Sequence, residues 1–184
     1  MKKILIILSV LFFTGCSMLD ISNTPTKKVE EYLNKFQILD KEVLDQLDDV
    51  IDRKINLNDE NKKEYRELIK KQYKNLQYTI KDEETNGDDA IVTAEIIVKD
   101  FTKVINDAEV YKRENIHEFY VGDMYDDNLY KKYLIDKLKD SKDKVTYTID
   151  FNVHKNNGKW KMEPIDSVTE DKILGVYNYN DQTF

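Results

Sequence analysis

Two stretches of strictly alternating side chains limit what this chain can fold into more than any other feature. In the first, Ala90, Val92, Ala94, Ile96 and Val98 recur at every second position, preceded across Asn86-Gly87 by a shorter run with Tyr78 and Ile80. In the second, Val145, Tyr147, Ile149, Phe151 and Val153 alternate with Thr146, Thr148, Asp150, Asn152 and His154, and after Asn156-Asn157-Gly158 the apolar face resumes with Trp160 and Met162. A period of two sends alternate side chains to opposite faces of a strand, and Asn-Gly pairs tolerate the positive φ of a tight turn. The pattern predicts two antiparallel hairpins, each with one apolar face. Ile91 and Ile97 share the other face of the first hairpin with Thr93 and Glu95, so that face is mixed.

Elsewhere the spacing is helical. Thr24-Pro25 predicts a helix start, with a capping hydroxyl and a proline in the first turn, and Val29, Tyr32, Leu33 and Phe36 form its apolar stripe. A second helix from Asp40 buries Val43, Leu44, Leu47, Val50 and Ile51. A third, capped by Asn58, buries Tyr65, Leu68, Ile69, Tyr73 and Leu76 and wets a lysine face. Between the hairpins, Val104, Ile105, Ala108 and Tyr111 predict a helical segment over 101–120, ended by Val121-Gly122-Asp123. Asp126 or Asp127 then starts a helix carrying Leu129, Tyr133, Leu134 and Leu138. Ser167 and Glu170 match a capping box ahead of Ile173, Leu174 and Gly175, and residues 176–184 read as a loosely held tail.

These elements predict an α+β fold in one domain over residues 25–175: N-terminal helices packed on a curved antiparallel sheet of two hairpins, with a helical insertion between the hairpins. The Gly158-Lys159-Trp160-Lys161 strand and the following Ser-Val-Thr-Glu-Asp-Lys-Ile-Leu-Gly segment ending at Gly175 resemble the nuclear-transport-factor-2-like, cystatin-like cone domains of bacterial lipoproteins. That resemblance implies the fold and carries no catalytic residue.

Ahead of the domain, Lys2 and Lys3 precede an almost wholly apolar run over 4–13, and Thr14-Gly15 precede Cys16, the single cysteine. The run is shorter than the roughly 20 residues a membrane-crossing helix needs and fits the apolar region of a secretory signal. Phe-Phe-Thr-Gly-Cys resembles the lipobox of bacterial lipoproteins of the low-GC Gram-positive type, with Phe13 where leucine is usual. The resemblance implies cleavage between Gly15 and Cys16, acylation of Cys16, and a membrane-anchored protein on the extracytoplasmic face, with residues 16–24 as lipidated cysteine and tether. A lone cysteine gives no disulfide framework and no thiolate metal site.

The whole sequence carries a net charge of −7, and loss of Lys2 and Lys3 with the signal makes it two units more negative. An acidic domain is a poor fit to nucleic acid, whose binding rests on neutralising phosphates. The acids Asp45, Asp48, Asp49 and Asp52 share one side of the second helix. Without a D-x-D-x-D-G loop they suit a solvated face better than a cation site. Neither a nucleophile elbow, a phosphate-cradling glycine loop nor an H-E-x-x-H pair is present, and no cofactor or metal is expected.

The chemistry-bearing cluster is Tyr111, Phe119, Tyr120, Tyr125, Tyr130 and Tyr133 with Asp123, Asp126 and Asp127, and His117, a lone imidazole between Ile116 and Glu118, belongs to the same stretch. Aromatic faces beside acids suit a cationic or amphipathic ligand, while the same spacing also serves ordinary packing of a tyrosine-rich segment. Of this stretch, Tyr111, His117, Tyr120, Tyr125 and Tyr130 are the candidate ligand-binding residues. His154 sits on the polar face of its strand. The expected function is a non-enzymatic anchored protein binding a small molecule, a peptide or an envelope partner. A small cone-fold hydrolase or isomerase, and an assembly component of an envelope complex, are the alternatives.

Overall fold

The computed structural model describes residues 23–54 and 57–177. The signal over 1–15, Cys16, most of the tether and residues 178–184 lie outside the described residues. In chain order come α1 (Pro25–Gln37), α2 (Lys41–Lys54), α3 (Asp59–Lys74), β1 (Gln77–Asn86), β2 (Asp89–Lys99), α4 (Phe101–Glu114), a 3-10 turn (Ile116–Phe119), β3 (Tyr120–Val121), β4 (Met124–Tyr125), α5 (Asp127–Asp140), β5 (Lys144–Asn156), β6 (Lys159–Met162) and α6 (Ser167–Leu174). The fold is α+β, built on an antiparallel four-stranded sheet of order β1-β2-β5-β6, with β3-β4 as a separate small hairpin.

The two hairpins join through their long strands, and the register explains why they fit. Ala90 pairs with Val153, Val92 with Phe151, Ala94 with Ile149 and Ile96 with Tyr147. Each of these β2 residues thus stands beside a larger one of β5, and all eight are buried. Val29, Leu33 and Phe36 of α1, Leu68, Ile69 and Tyr73 of α3, and Ile173 of α6 join them in one core. Each fully buried large apolar side chain contributes about 1.5–3 kcal/mol relative to exposure. The opposite face carries the exposed Thr146, Thr148, Asp150 and His154, and is tied by Thr93 Oγ1 donating to Asp150 Oδ1 at 2.6 Å.

Helix starts follow the caps expected of them. Thr24 Oγ1 accepts from Lys27 N at 3.1 Å, with Pro25 in the first turn, and Asn58 Oδ1 accepts from Asn61 N at 2.8 Å. For α6 the cap lies one residue earlier than the capping box predicts. Asp166, not Ser167, accepts from Thr169 N at 2.8 Å, and that bond from the backbone holds its carboxyl below the usual range.

Several expected boundaries and faces shift. In the first hairpin Asn86 already pairs with Asp89, so Gly87 and Asp88 make the turn, with positive φ at Gly87 alone. In the second, Asn157 and Gly158 both adopt positive φ, as a two-residue turn of the mirror-image type requires. The helix expected over 101–120 stops at Glu114, and Val121-Gly122-Asp123 proves to be the end of β3 and the two-residue turn of the β3-β4 hairpin, whose two-residue strands are too short for periodicity to reveal. On α2 the buried stripe is Val43, Leu47 and Ile51, while Val50 is exposed. On α5 it is Tyr130, Ile135 and Leu138, leaving Leu129 exposed.

Both ends of the domain are held more firmly than expected. Asn23 donates through Nδ2 to Gly158 O at 3.0 Å and accepts from Trp160 N at 2.9 Å, which fastens the start of the chain to the edge strand β6. At the other end Tyr177 is buried against Tyr147, and its carbonyl accepts from Thr102 Oγ1 at 3.1 Å.

Candidate functional site

The tyrosines singled out in sequence do come together. Tyr111 stacks on Tyr133 with ring centres 4.9 Å apart and planes 14° from parallel, and Phe119 meets Tyr130 edge-on at 5.3 Å. With Ala108 these residues make a second, smaller core between α4, α5 and the 3-10 turn. Their hydroxyls are engaged: Tyr111 donates to Glu118 Oε2 at 2.8 Å, and Tyr130 donates to Glu109 Oε1 at 2.6 Å. The hydrogen bond to the Glu118 carboxylate raises the pKa of Tyr111, and burial followed by the Glu109 carboxylate raises that of Tyr130. Lys112 Nζ lies 4.1 Å from the centre of the Tyr130 ring, so that face already holds a cation from the chain itself.

Tyr120, Tyr125 and His117 stand apart from this packing. Tyr120 and Tyr125 face each other across β3-β4, and His117 lies 5.8 Å from the Tyr120 ring. All three are exposed, as are Val121 and Met124 at the hairpin tip. They form a surface rather than a lined recess. Residues expected as one site are thus divided between a packed cluster and an exposed hairpin.

A recess does exist on the other side of the domain, between α1, α2, α3 and the α6 end. It is a groove of about 850 Å³ whose floor includes Phe36, Leu47, Ile69 and Ile173. Tyr32, Tyr65 and Tyr73 line it, and Asp40, Glu42, Asp45, Asp49 and Glu170 stand around it with one lysine, Lys41. Edge-to-face contacts of Phe36 with Tyr32 at 5.3 Å and with Tyr73 at 5.0 Å fix the aromatic floor. The helices produce this opening because the α2 stripe Val43, Leu47 and Ile51 is narrow, which leaves Val50 turned into the groove.

The groove tyrosines differ chemically from those of the small core. Tyr73 is only 8% exposed, but its hydroxyl and those of Tyr32 and Tyr65, which have no hydrogen-bond partner among the described residues, are not enclosed and open onto the groove. Burial raises the pKa of all three; the carboxylate of Glu170 adds to it at Tyr32 and, after the neighbouring Tyr65, at Tyr73. They are therefore protonated donors at neutral pH. Glu170 has no ion-pair partner among the described residues, whereas Glu42 is bridged to Lys35 at 2.6 Å and Asp45 pairs with Lys41.

No family model matches the chain, and no curated protein or solved structure is significantly similar to it.

In the sequence Tyr32, Tyr65 and Tyr73 lie on buried helix stripes and carry no mark of a site. The available signal was three tyrosines on helix stripes otherwise made of aliphatic and phenylalanine side chains, since a phenol in a core needs a partner for its hydroxyl. Among the described residues there is no group of three or more histidine, cysteine or acidic side chains set to hold a metal ion. On the acidic side of α2, Asp48 accepts from Arg66 Nε at 2.6 Å and Asp52 meets Lys62 at 3.5 Å. No described helix is long and apolar enough to cross a membrane. His154, on the open sheet face, pairs with Asp89 at 2.7 Å.

Proposed function

We propose that this chain is an extracytoplasmic lipoprotein, anchored through Cys16, that binds a ligand in the groove between α1, α2, α3 and α6. The observation that carries the binding half is the trio of unpartnered phenol hydroxyls over an apolar floor. The three hydroxyls open onto the recess and are not engaged within the fold, so acceptors of a bound molecule can take the place of water on them. The anchoring half rests on the Lys2-Lys3, apolar run and Gly15-Cys16 pattern, and two acyl chains there make a stable anchor where one does not.

The architecture is compatible with a cystatin-like cone, with the α4 to α5 segment as an insertion between its hairpins. On this reading the Tyr111 and Tyr130 cluster is the packing core of that insertion, and Tyr120, Tyr125 and His117 form a secondary surface. Binding without chemistry is favoured because the groove holds no base placed against a nucleophile: its tyrosines are raised, not lowered, in pKa.

Two arms test the proposal. Replacing Cys16 with alanine should abolish lipid labelling and release the protein from the membrane fraction; continued labelling or retention contradicts the anchor. For the groove, intact lipidated protein is compared with a Val50→Trp variant that fills the opening. Envelope material held by the first should be lost by the second, and an unchanged retained set contradicts the groove reading.

A further inference from the structure

The groove also specifies the chemistry of its occupant, an inference that rests on the binding role just given. We infer that it takes a basic, amphipathic peptide segment, with apolar side chains on the Phe36-Leu47-Ile69 floor, a lysine or arginine at Glu170, and peptide carbonyls on the tyrosine hydroxyls.

Three independent features point there. The first is charge: five carboxylates and one lysine line the opening, and the lysine is already paired with Asp45. Glu42 and Asp45 are bridged, Asp49 is engaged as well, and Asp40 Oδ1 accepts from Glu42 N at 3.0 Å, so the discriminating group is Glu170, whose carboxylate has no ion-pair partner among the described residues. The second is the polar equipment of the floor. The Tyr73 side chain is more than nine-tenths buried while its hydroxyl opens onto the groove without a partner among the described residues, and with Tyr32 and Tyr65 it offers donors along the wall. Donors of this kind match carbonyl oxygens, which a peptide supplies at every residue and a simple ammonium ion lacks. The third is the apolar floor itself: an extended segment laid in such a groove keeps its carbonyls free and buries apolar anchors that a hydrophilic cation does not possess.

Together these features ask for positive charge, hydrogen-bond acceptors and apolar anchors in one molecule. A polyamine brings the first alone. A fatty acid brings the last and meets repulsion at Glu170.

The test uses the full lipidated chain in detergent micelles and a fluorescent 12-residue peptide of alternating leucine and lysine, whose extended backbone leaves its carbonyls free, read by anisotropy. A leucine and glutamate peptide of the same pattern serves as the charge-reversed probe, and tetramethylammonium as the small cation. The lysine peptide should bind saturably and the glutamate peptide should not. Glu170→Gln should weaken binding about tenfold, as loss of one charge-assisted contact does, and Tyr73→Phe about threefold. Glu84→Gln removes the same charge from exposed β1, away from the groove, and should change affinity less than twofold.

Equal loss in Glu170→Gln and Glu84→Gln would show general attraction to an acidic protein and overturn the inference. So would binding of both peptides alike, or displacement by millimolar tetramethylammonium. Failure of the lysine peptide to bind, alongside loss of native envelope material in Val50→Trp, discards the peptide class and leaves the groove standing. If Val50→Trp alters neither, the groove reading itself falls.

Discussion

A β-carbon on Gly175 would lie 2.1 Å from the carbonyl oxygen of Lys99. The glycine sits at φ +76 just past α6, and its own carbonyl accepts from Phe101 N at 2.9 Å and Thr102 N at 3.1 Å. The end of the last helix, the end of β2 and the start of α4 thus share one crossing point, where backbone approaches backbone. Gly175→Ala combines a left-handed conformation with a clash that neither partner can relieve by rotating a side chain. A loss of about 2 kcal/mol or more is expected. Gly87→Ala, with nothing within 4 Å of the added carbon, keeps only the conformational penalty of about 1 kcal/mol. Urea unfolding of the two variants should rank them in that order.

At the same crossing, the Gln72 amide replaces a missing strand neighbour. Nε2 donates to Lys99 O at 3.1 Å and to Leu174 O at 3.0 Å, and Oε1 accepts from Lys99 N at 3.3 Å. Gln72 is 2% exposed, so Gln72→Leu keeps the volume and leaves those backbone groups without partners. The expected cost is about 1–3 kcal/mol, with faster hydrogen exchange at the Lys99 amide than in the parent. Unchanged exchange there would mean that the amide contributes nothing to holding the strand end.

Much of this fold is legible in the residues. The alternation from Ala90 to Val98 and from Val145 to Val153 fixes which face each strand buries, and Thr24 and Asn58 mark their helix starts. What periodicity does not carry is how faces are partnered. Gln72 lies three and four residues from Ile69 and Leu68, on the buried stripe, and a polar side chain there announces a structural hydrogen bond without naming Lys99 as its partner. Tyr111 and Tyr130 look equivalent to Tyr120 and Tyr125 in sequence. Only the positions of α4 and α5 decide that the first pair packs while the second stays exposed. The groove is the product of four segments distant in sequence, so its three tyrosines are visible beforehand only as unusual polar atoms on buried stripes.

Within the small core, Tyr130 and Glu109 provide a pH test. Burial pulls the Glu109 carboxyl upward, and the hydrogen bonds from Lys112 and Tyr130 outweigh it, so the group lies below its usual 4.5. A carboxylate depressed in the folded state adds stability that is present above its unfolded value and lost as pH falls through the folded one. Tyr130→Phe should therefore cost about 1 kcal/mol at pH 7, the Glu109 side chain being partly exposed, and progressively less as the solution is acidified below 4.5 and through the lowered folded value. A penalty that stays constant down to pH 2 would contradict the assignment of the bond to the ionised carboxylate.

On the open face of the sheet the sign reverses. The hydrogen bond to Asp89 raises the His154 pKa above 6.5. The stabilisation from the protonated pair is present below the unfolded value and disappears as pH rises through the folded one. Proton NMR should find His154 titrating above its usual value, and Asp89→Asn should move the midpoint down. An unchanged midpoint in that variant would assign the shift to the other nearby carboxylates, Asp88 and Glu163.

The central claim, that the groove and not the tyrosine-rich hairpin is the binding surface, is tested most directly by NMR of the lipidated chain with ring-labelled tyrosine. Each of the 12 tyrosines is an independent reporter. On addition of the leucine and lysine peptide, the resonances of Tyr32, Tyr65 and Tyr73 should move together and saturate with one dissociation constant, while those of Tyr111, Tyr120, Tyr125 and Tyr130 stay in place. Movement of Tyr120 and Tyr125 with a silent groove trio would contradict the account and transfer the site to the β3-β4 hairpin.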